Sequence, residues 1–321
     1  MNRIIGAFSA VFATVGMFAS PALAQQDYPV DTVTVIVPYA AGGAGDLVGR
    51  IVANELSSRF TANFIVENIG GASGTIGAER AARAPADGST LLLAGNAIIT
   101  TAPHLASVGF DPLADLTAVA NVSEAARMLA ATKTMPALTD FEAFVAYGKA
   151  HPGELNYGSV GVGSTGHIAT VDMLNSIGVE ANHIAYSGAA EVVQAVLSGD
   201  IHFMLDAAAI AQVRQDAMTP LAVPGSERME EFPDVPTLAE LGHPSIRGVG
   251  IQMVMAPSGT PPEILVVLER ALQDASNSSE FTERLIRAGV SPRFISGADL
   301  SMALEQEYDH YEQLLTSMGL K

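Results

Sequence analysis

Two spacings of apolar residues alternate along the chain, one suited to strands and one to helices. The run VTVIV at 33–37 is short and β-branched, which predicts a strand. From about 47 to 59, Leu47 and Ile51, and then Val48, Val52 and Leu56, recur four residues apart and so share a helix face. NFIVEN (63–68), a helical stretch over 75–83 and STLLLAGN (89–96) complete a βαβαβ order. That order predicts an α/β fold, a mostly parallel sheet with helices on both faces. A second α/β unit follows. TDFEAFVAYGKA (139–150) opens on a capping box of Thr139 and Glu142, and LNYGS (155–159) reads as a strand. A helix over 165–176, strand NHIAY (182–186), helix AAEVVQAVL (189–197) and strand IHFMLD (201–206) continue the alternation. After the proline-rich FPDVPTLAELGHP (232–244), helical patterns dominate over 261–275, 281–289 and 298–315.

The start of the chain has a different pattern. Asn2 and Arg3 precede an apolar stretch over 4–18, and Ala22-Leu23-Ala24 is a small-residue cleavage signal. This predicts a secretory leader over 1–24 with cleavage after Ala24, and hence a periplasmic protein. No later stretch reaches the apolar length of a membrane span. The 321 residues are 49% hydrophobic and 16% charged, enough to bury one large core or two modest ones. Cysteine is absent, which removes disulfides and thiolate chemistry together. Acidic residues outnumber basic ones 34 to 16, the only lysines are Lys133, Lys149 and Lys321, and the net charge is −18. Such a surface repels phosphate backbones, so nucleic acid is not expected as a partner, and the chain is read as a monomer.

Three glycine loops carry the candidate chemistry: AAGGAGD (40–46), IGGASGTIG (69–77) and SVGVGSTGH (159–167). Each joins the end of a strand to the start of a helix, where unpaired amides and the helix dipole favour an anion. Asp46, and Ser164 or Thr165, are expected N-caps. A dinucleotide fingerprint is incomplete: Gly43-Ala44-Gly45 could begin one, with Glu67 as the ribose acid, but its third glycine position is Val48. A nucleophile elbow is absent too, because Ser164 lies between Val162 and Gly166, and Ser159 between Tyr157 and Gly161. The seven histidines are dispersed without metal-ligand spacing. His167 is read as ordering its loop, and Asp206 as capping the next turn or accepting a bond from a ligand. No catalytic residue, cofactor or metal is expected.

Six phrases resemble one family in order along the chain: YPVDTVTVIVPYAAGGAGD (28–46), VENIGGASGTIGAERAARAPADGSTLLLAGN (66–96), HPGELNYGSVGVGSTGHIA (151–169), HIAYSGAAEVVQAVLSGDIHFMLD (183–206), FPDVPTLAELG (232–242) and APSGTPPEIL (256–265). The family is that of the extracytoplasmic receptors of tripartite tricarboxylate transporters, the Bug family. The resemblance implies a type II periplasmic-binding-protein fold, two α/β lobes with a ligand cleft between them. Residues 25–126 and 248–321 would form lobe one, and 127–247 lobe two. It further implies a solute receptor, not an enzyme, that binds a small organic carboxylate and presents it to integral-membrane permease subunits. A sensor for a signalling partner, or an exported enzyme acting on a carboxylate, are the alternatives. The implied ligand-binding residues are Tyr39, Ala40, Gly42, Gly43, Asp46, Ser73 and Asn96 in lobe one. In lobe two they are Ser159, Gly163, Ser164, Thr165 and His167, with Tyr186, Ser187, Gly188 and Asp206 on the far side. The chain departs from the family at Ile251, where tryptophan is usual, at Ala185 and Ser187, usually proline and lysine, and at Arg127, read as a solvated surface arginine.

Overall fold

The computed structural model describes Tyr28 and residues 31–186, 188–224, 227–243 and 250–321. The expected leader and Ser187 lie outside them. The first elements are β1 (Thr32–Val37), α1 (Ala44–Arg59), β2 (Asn63–Asn68), α2 (Thr75–Ala82), β3 (Thr90–Gly95), short α3 (Ala97–Thr100) and α4 (Ala102–Leu105), and β4 (Leu116–Ala125). The chain then runs through β5 (Met128–Thr132), α5 (Phe141–Ala150), β6 (Leu155–Ser159), α6 (Thr165–Ile177), β7 (Ala181–Ala185), α7 (Ala189–Ser198), β8 (Phe203–Asp206), α8 (Ala208–Arg214) and β9 (Met218–Ala222). It finishes with β10 (Ile251–Pro257), α9 (Pro262–Ser276), α10 (Ser279–Arg287), β11 (Val290–Ser296) and α11 (Gly297–Ser317).

These strands build two sheets of like topology, β11-β4-β10-β3-β1-β2 and β7-β6-β8-β5-β9. In each, three parallel strands are followed by one antiparallel strand, β10 in the first and β5 in the second. The antiparallel strand arrives from the other lobe. β5 follows β4 after only residues 126 and 127, and β10 enters the first sheet after β9 has closed the second. The expected parallel trios are therefore present, with antiparallel partners that apolar spacing does not anticipate.

Register fixes which ends of the sheets face each other. Gln252 pairs with both Gly95 and Ser123, so β3 and β4 run the same way and end at the same edge. Two residues beyond that edge β5 begins, and its Met128 pairs with Asp206 at the carboxyl end of β8. The carboxyl ends of both parallel sets thus point into one gap, the place where open α/β sheets bind ligands. All three glycine loops follow such ends.

Side-chain alternation explains why the central strands are apolar throughout. Val33, Val35, Val37, Leu91 and Leu93 pack toward α1, α9 and α10, while Ile36, Leu92, Ala94, Met253 and Met255 pack toward α2 and α11. In the second sheet Leu129, Ala131, Phe203 and Leu205 meet α5 and α6, and Met128, Ala130 and Met204 meet α7 and α8. The C-terminal helix spans both lobes. Leu300 and Leu304 belong to the first-lobe core, whereas Tyr311, Leu314 and Leu315 cluster with Ile168 of α6. His310 Nε2 also lies 2.8 Å from Asp172 Oδ1 on α6.

Local details correct the patterning. Asp140, not Thr139, caps α5, its side chain accepting from the Ala143 N–H at 2.8 Å. Strand β8 begins at Phe203 rather than 201. Among the described residues no helix is long and apolar enough to cross a membrane. Phe203 is fully buried, edge-on to Phe144 with centroids 4.9 Å apart and stacked on Tyr157 at 5.5 Å. Phe203→Ala should cost about 3–5 kcal/mol, read as a lowered urea midpoint at unchanged slope.

Candidate functional site

The turn between β1 and α1 is shaped by its own side chains. Gly42 has φ 85, with nothing within 4 Å of where a Cβ would stand, so glycine is needed there for backbone conformation alone. Gly43 has φ −78 and is the N-cap, a position expected for Asp46. Asp46 instead lies in the first turn of α1, where it is 2% exposed and fully occupied. Its Oδ2 accepts from the Gly42 N–H at 2.8 Å and Arg50 Nε at 3.0 Å, and its Oδ1 from Asn68 Nδ2 at 2.9 Å. Burial pushes the Asp46 carboxyl up, but these three donors outweigh it and hold the group below the usual carboxylate range. Asp46 therefore organises the turn.

Tyr39 and Asn96 are likewise turned inward. The Tyr39 hydroxyl accepts from the Gly95 N–H at 2.7 Å, stapling the ends of β1 and β3 together, and its ring leaves no room for a Cβ on Gly45. Asn96 is 5% exposed; its Nδ2 donates to Glu307 Oε1 and its Oδ1 accepts from the Ile251 N–H at 3.2 Å. What lobe one offers to a ligand is thus mainly backbone: the first-turn amides of Ala44, Gly45 and Asp46, which have no intrahelical acceptors. The Ala40 carbonyl closes this turn by accepting from the Gly43 N–H at 3.4 Å.

The second loop carries strain. Gly71, Ala72, Ser73 and Gly74 have φ values of 119, 45, 57 and 94, four successive residues in the positive range, two of them not glycine. Each non-glycine residue there costs about 1–3 kcal/mol and persists only where its surroundings enforce it. Thr75 Oγ1 supplies part of that by donating to the Ala72 carbonyl at 2.8 Å. Ser73 is exposed beside the start of α2.

In lobe two the loop 160–164 is held by a chain of polar contacts. Ser164 caps α6, accepting from the His167 N–H at 3.2 Å. His167 Nδ1 accepts from the Gly163 N–H at 3.0 Å, so the imidazole orders the loop through its unprotonated nitrogen. His167 stacks on His183 with centroids 3.8 Å apart, and Ser159 Oγ lies 2.7 Å from His183 Nε2. Ser159 also donates to the Gly161 carbonyl at 3.0 Å and is 6% exposed, a hydroxyl that ties the turn together. Burial, with the neighbouring His183, lowers the His167 pKa to about 4. Gly163 has φ 77, and a Cβ there would lie 3.5 Å from Leu105 Cδ1 at the end of α4 in lobe one.

The far-side candidates divide. Asp206 Oδ1 accepts from the Ala208 N–H at 2.9 Å, two residues on, although the N-cap of α8 is Ala207, while Gly166, Ser159 and Asp206 line one narrow crevice. Gly188 caps α7, and the Tyr186 N–H donates to the Ser159 carbonyl at 2.9 Å. Arg127 departs from expectation. It is not a solvated surface residue: its side chain is half-buried with Nη1 enclosed, and Nη2 donates to Thr165 Oγ1 at 2.7 Å. Apolar spacing and motifs do not single out His183. Its signal is register, since it pairs with Tyr157 on the neighbouring strand, and register is invisible until pairing is known. Among the described residues no group of three or more His, Asp or Glu side chains is placed to hold a metal ion.

Over residues 48–320 the chain matches the family described as tripartite tricarboxylate transporter family receptor. It is 32% identical to protein BugT of Bordetella pertussis, over all of this chain and 99% of that protein. Among solved structures it is similar to Rpa4515 of R. palustris with adipate, at 31% identity and TM-score 0.69, covering 91% of this chain and 99% of that one. A TctC solute-binding protein from Polaromonas with no ligand is similar at 27% identity and TM-score 0.81, covering 90% and 99%.

The His167 geometry has a consequence for pH. Its folded pKa lies below the ordinary value near 6.5, so the unfolded chain takes up this proton first as pH falls. The contribution of neutral His167 is complete above about pH 6.5 and is lost between about 6.5 and 4. His167→Asn keeps an acceptor for the Gly163 N–H and removes the titration. Denaturation midpoints measured across that window should fall less steeply for the variant than for the parent.

Proposed function

Because the chain belongs to the tripartite tricarboxylate transporter receptor family, we propose that it captures a small organic carboxylate between its lobes and delivers it to integral-membrane permease subunits. The observation that carries this is the opposition of helix starts: α1 and α2 from one lobe and α6 from the other begin at the same gap, behind glycine turns whose side chains are engaged elsewhere. A carboxylate supplies the acceptors that these first-turn amides lack. The apolar part of such a ligand has matching walls, because Leu47, Ile76, Leu105, Val160 and Val162 are all exposed around the same loops.

We assign the ligand to the surface of the turns formed by Ala40, Gly42, Gly43 and Ser73 of lobe one and by Gly163, Ser164 and Thr165 of lobe two, with the first-turn amides of Ala44, Gly45 and Asp46 as lobe-one donors. Tyr39, Asp46, Asn96, Ser159 and His167 hold those turns in place, and Tyr186, Gly188 and Asp206 bound the far side. The exported chain divides at 126 and 247, with lobe one returning at 248, and acts in the periplasm after loss of residues 1–24. Each lobe supplies part of the donors, so the ligand binds the closed arrangement more tightly than the open one, which is the condition for closure. The likeness to a relative solved with adipate makes that dicarboxylate the first probe.

Calorimetry of the exported protein with adipate and related small carboxylates should give saturable binding, with a raised melting temperature and every acid recovered unchanged. Consumption of the acid would instead indicate an enzyme, and absence of binding across the panel would remove the receptor assignment. Gly42→Val and Gly163→Val force β-branched side chains to positive φ and should weaken binding at least about tenfold while unfolding stays cooperative. Unchanged affinity in both would show that these turns do not hold the ligand.

A further inference from the structure

Arg127 occupies the two-residue crossing between β4 and β5, at the edge from which both sheets face the gap. Its guanidinium is close to the second crossing too, since Nη2 lies 3.8 Å from where a Cβ on Gly250 would stand. From there Nη2 reaches Thr165, the first residue of α6. Two positive features therefore meet, a full charge on Arg127 and the partial charge of the α6 start. Among the described residues no carboxylate lies within salt-bridge distance of Arg127, and Nη1 is buried with no hydrogen-bond partner. Asp206 acts on Arg127 at longer range, its Oδ1 being engaged by Ala208, and Glu124 and Glu227 line the same cavity as Arg127 without pairing with it. Burial disfavours the charged guanidinium, so the protein bears a cost that an anion at this point would relieve.

Lobe one holds its own anion-attracting end at the α1 and α2 starts, where the nearest cation, Arg50, is already paired with Asp46. We propose that Arg127 is a specificity-determining residue whose guanidinium, with Thr165, takes the second acid group of a dianionic ligand, so that the receptor selects dicarboxylates over monocarboxylates of equal length. This rests on the carboxylate-receptor function above and names the ligand class for that same site. A planar guanidinium with two nitrogens at one edge suits a carboxylate better than a lysine ammonium would.

The test is calorimetry with straight-chain dicarboxylates from malonate to suberate, each beside the monocarboxylate of the same length, on the parent protein, Arg127→Met and Arg127→Lys. In the parent, the best dicarboxylate should bind about 10- to 100-fold more tightly than its monoacid partner, the range for one charged hydrogen-bonded contact. Arg127→Met should reduce that ratio to near one with monoacid affinity retained, and Arg127→Lys should restore part of it. Equal weakening of both series would make Arg127 a structural residue of the crossing and overturn the proposal. A parent ratio near one overturns it as well while leaving the carboxylate receptor intact. Failure of every acid to bind the parent would remove both. Melting temperatures of the two variants show that each is folded.

Discussion

A helix cannot satisfy its own first amides, and in this protein that elementary shortage is placed where it can be used. The starts of α1, α2 and α6 all open on the gap between the sheets, and the side chains around them take up some of the amides and fix the turns that present the rest. Asp46 draws the first turn inward through Gly42, Arg50 and Asn68. Ser164 and His167 do the same for the loop before α6. Side chains shape these turns through their own hydrogen bonds.

The second constraint is the double crossing of the chain. Because β5 and β10 are each inserted antiparallel into a sheet built mostly by the other half of the sequence, the parallel strands of both lobes end toward each other. Contacts among the described residues tie the lobes across the gap. They include the Glu227–Arg293 pair at 3.7 Å, the His310–Asp172 pair at 2.8 Å and the small apolar cluster of α11 against Ile168. The Glu227–Arg293 pair is largely exposed, and exposed ion pairs of this kind are weak.

Elements with regular apolar spacing beside a strong turn signal are legible in the amino-acid sequence alone. Strands β2 and β6 occupy the residues expected for them, and α1, α2, α6 and α7 differ only at their ends. Strand β11 is not legible, because VSPRFIS is an edge strand interrupted by Pro292 and Arg293, which an edge tolerates and a pattern search rejects. At the site, glycine announces the loops because positive φ leaves few other choices. The tasks of the polar residues beside them are hidden, since Asp46 meets Asn68 22 positions away and Asn96 meets Glu307 211 positions away. Arg127 reads as a surface residue for the same reason. Its partner Thr165 is 38 positions on, in an element that spacing alone does not bring near.

Strands β3 and β4 are neighbours in sequence but not in the sheet, for the slot between them is filled by β10, which starts at Ile251. The first lobe is therefore unfinished until nearly four-fifths of the polypeptide has been synthesised, and its outermost strand waits for residue 290. Closing a loop of that length is slow, so the first lobe is completed only after all strands of the second sheet have been made, and a fragment ending before β10 would carry an open hydrophobic slot between β3 and β4.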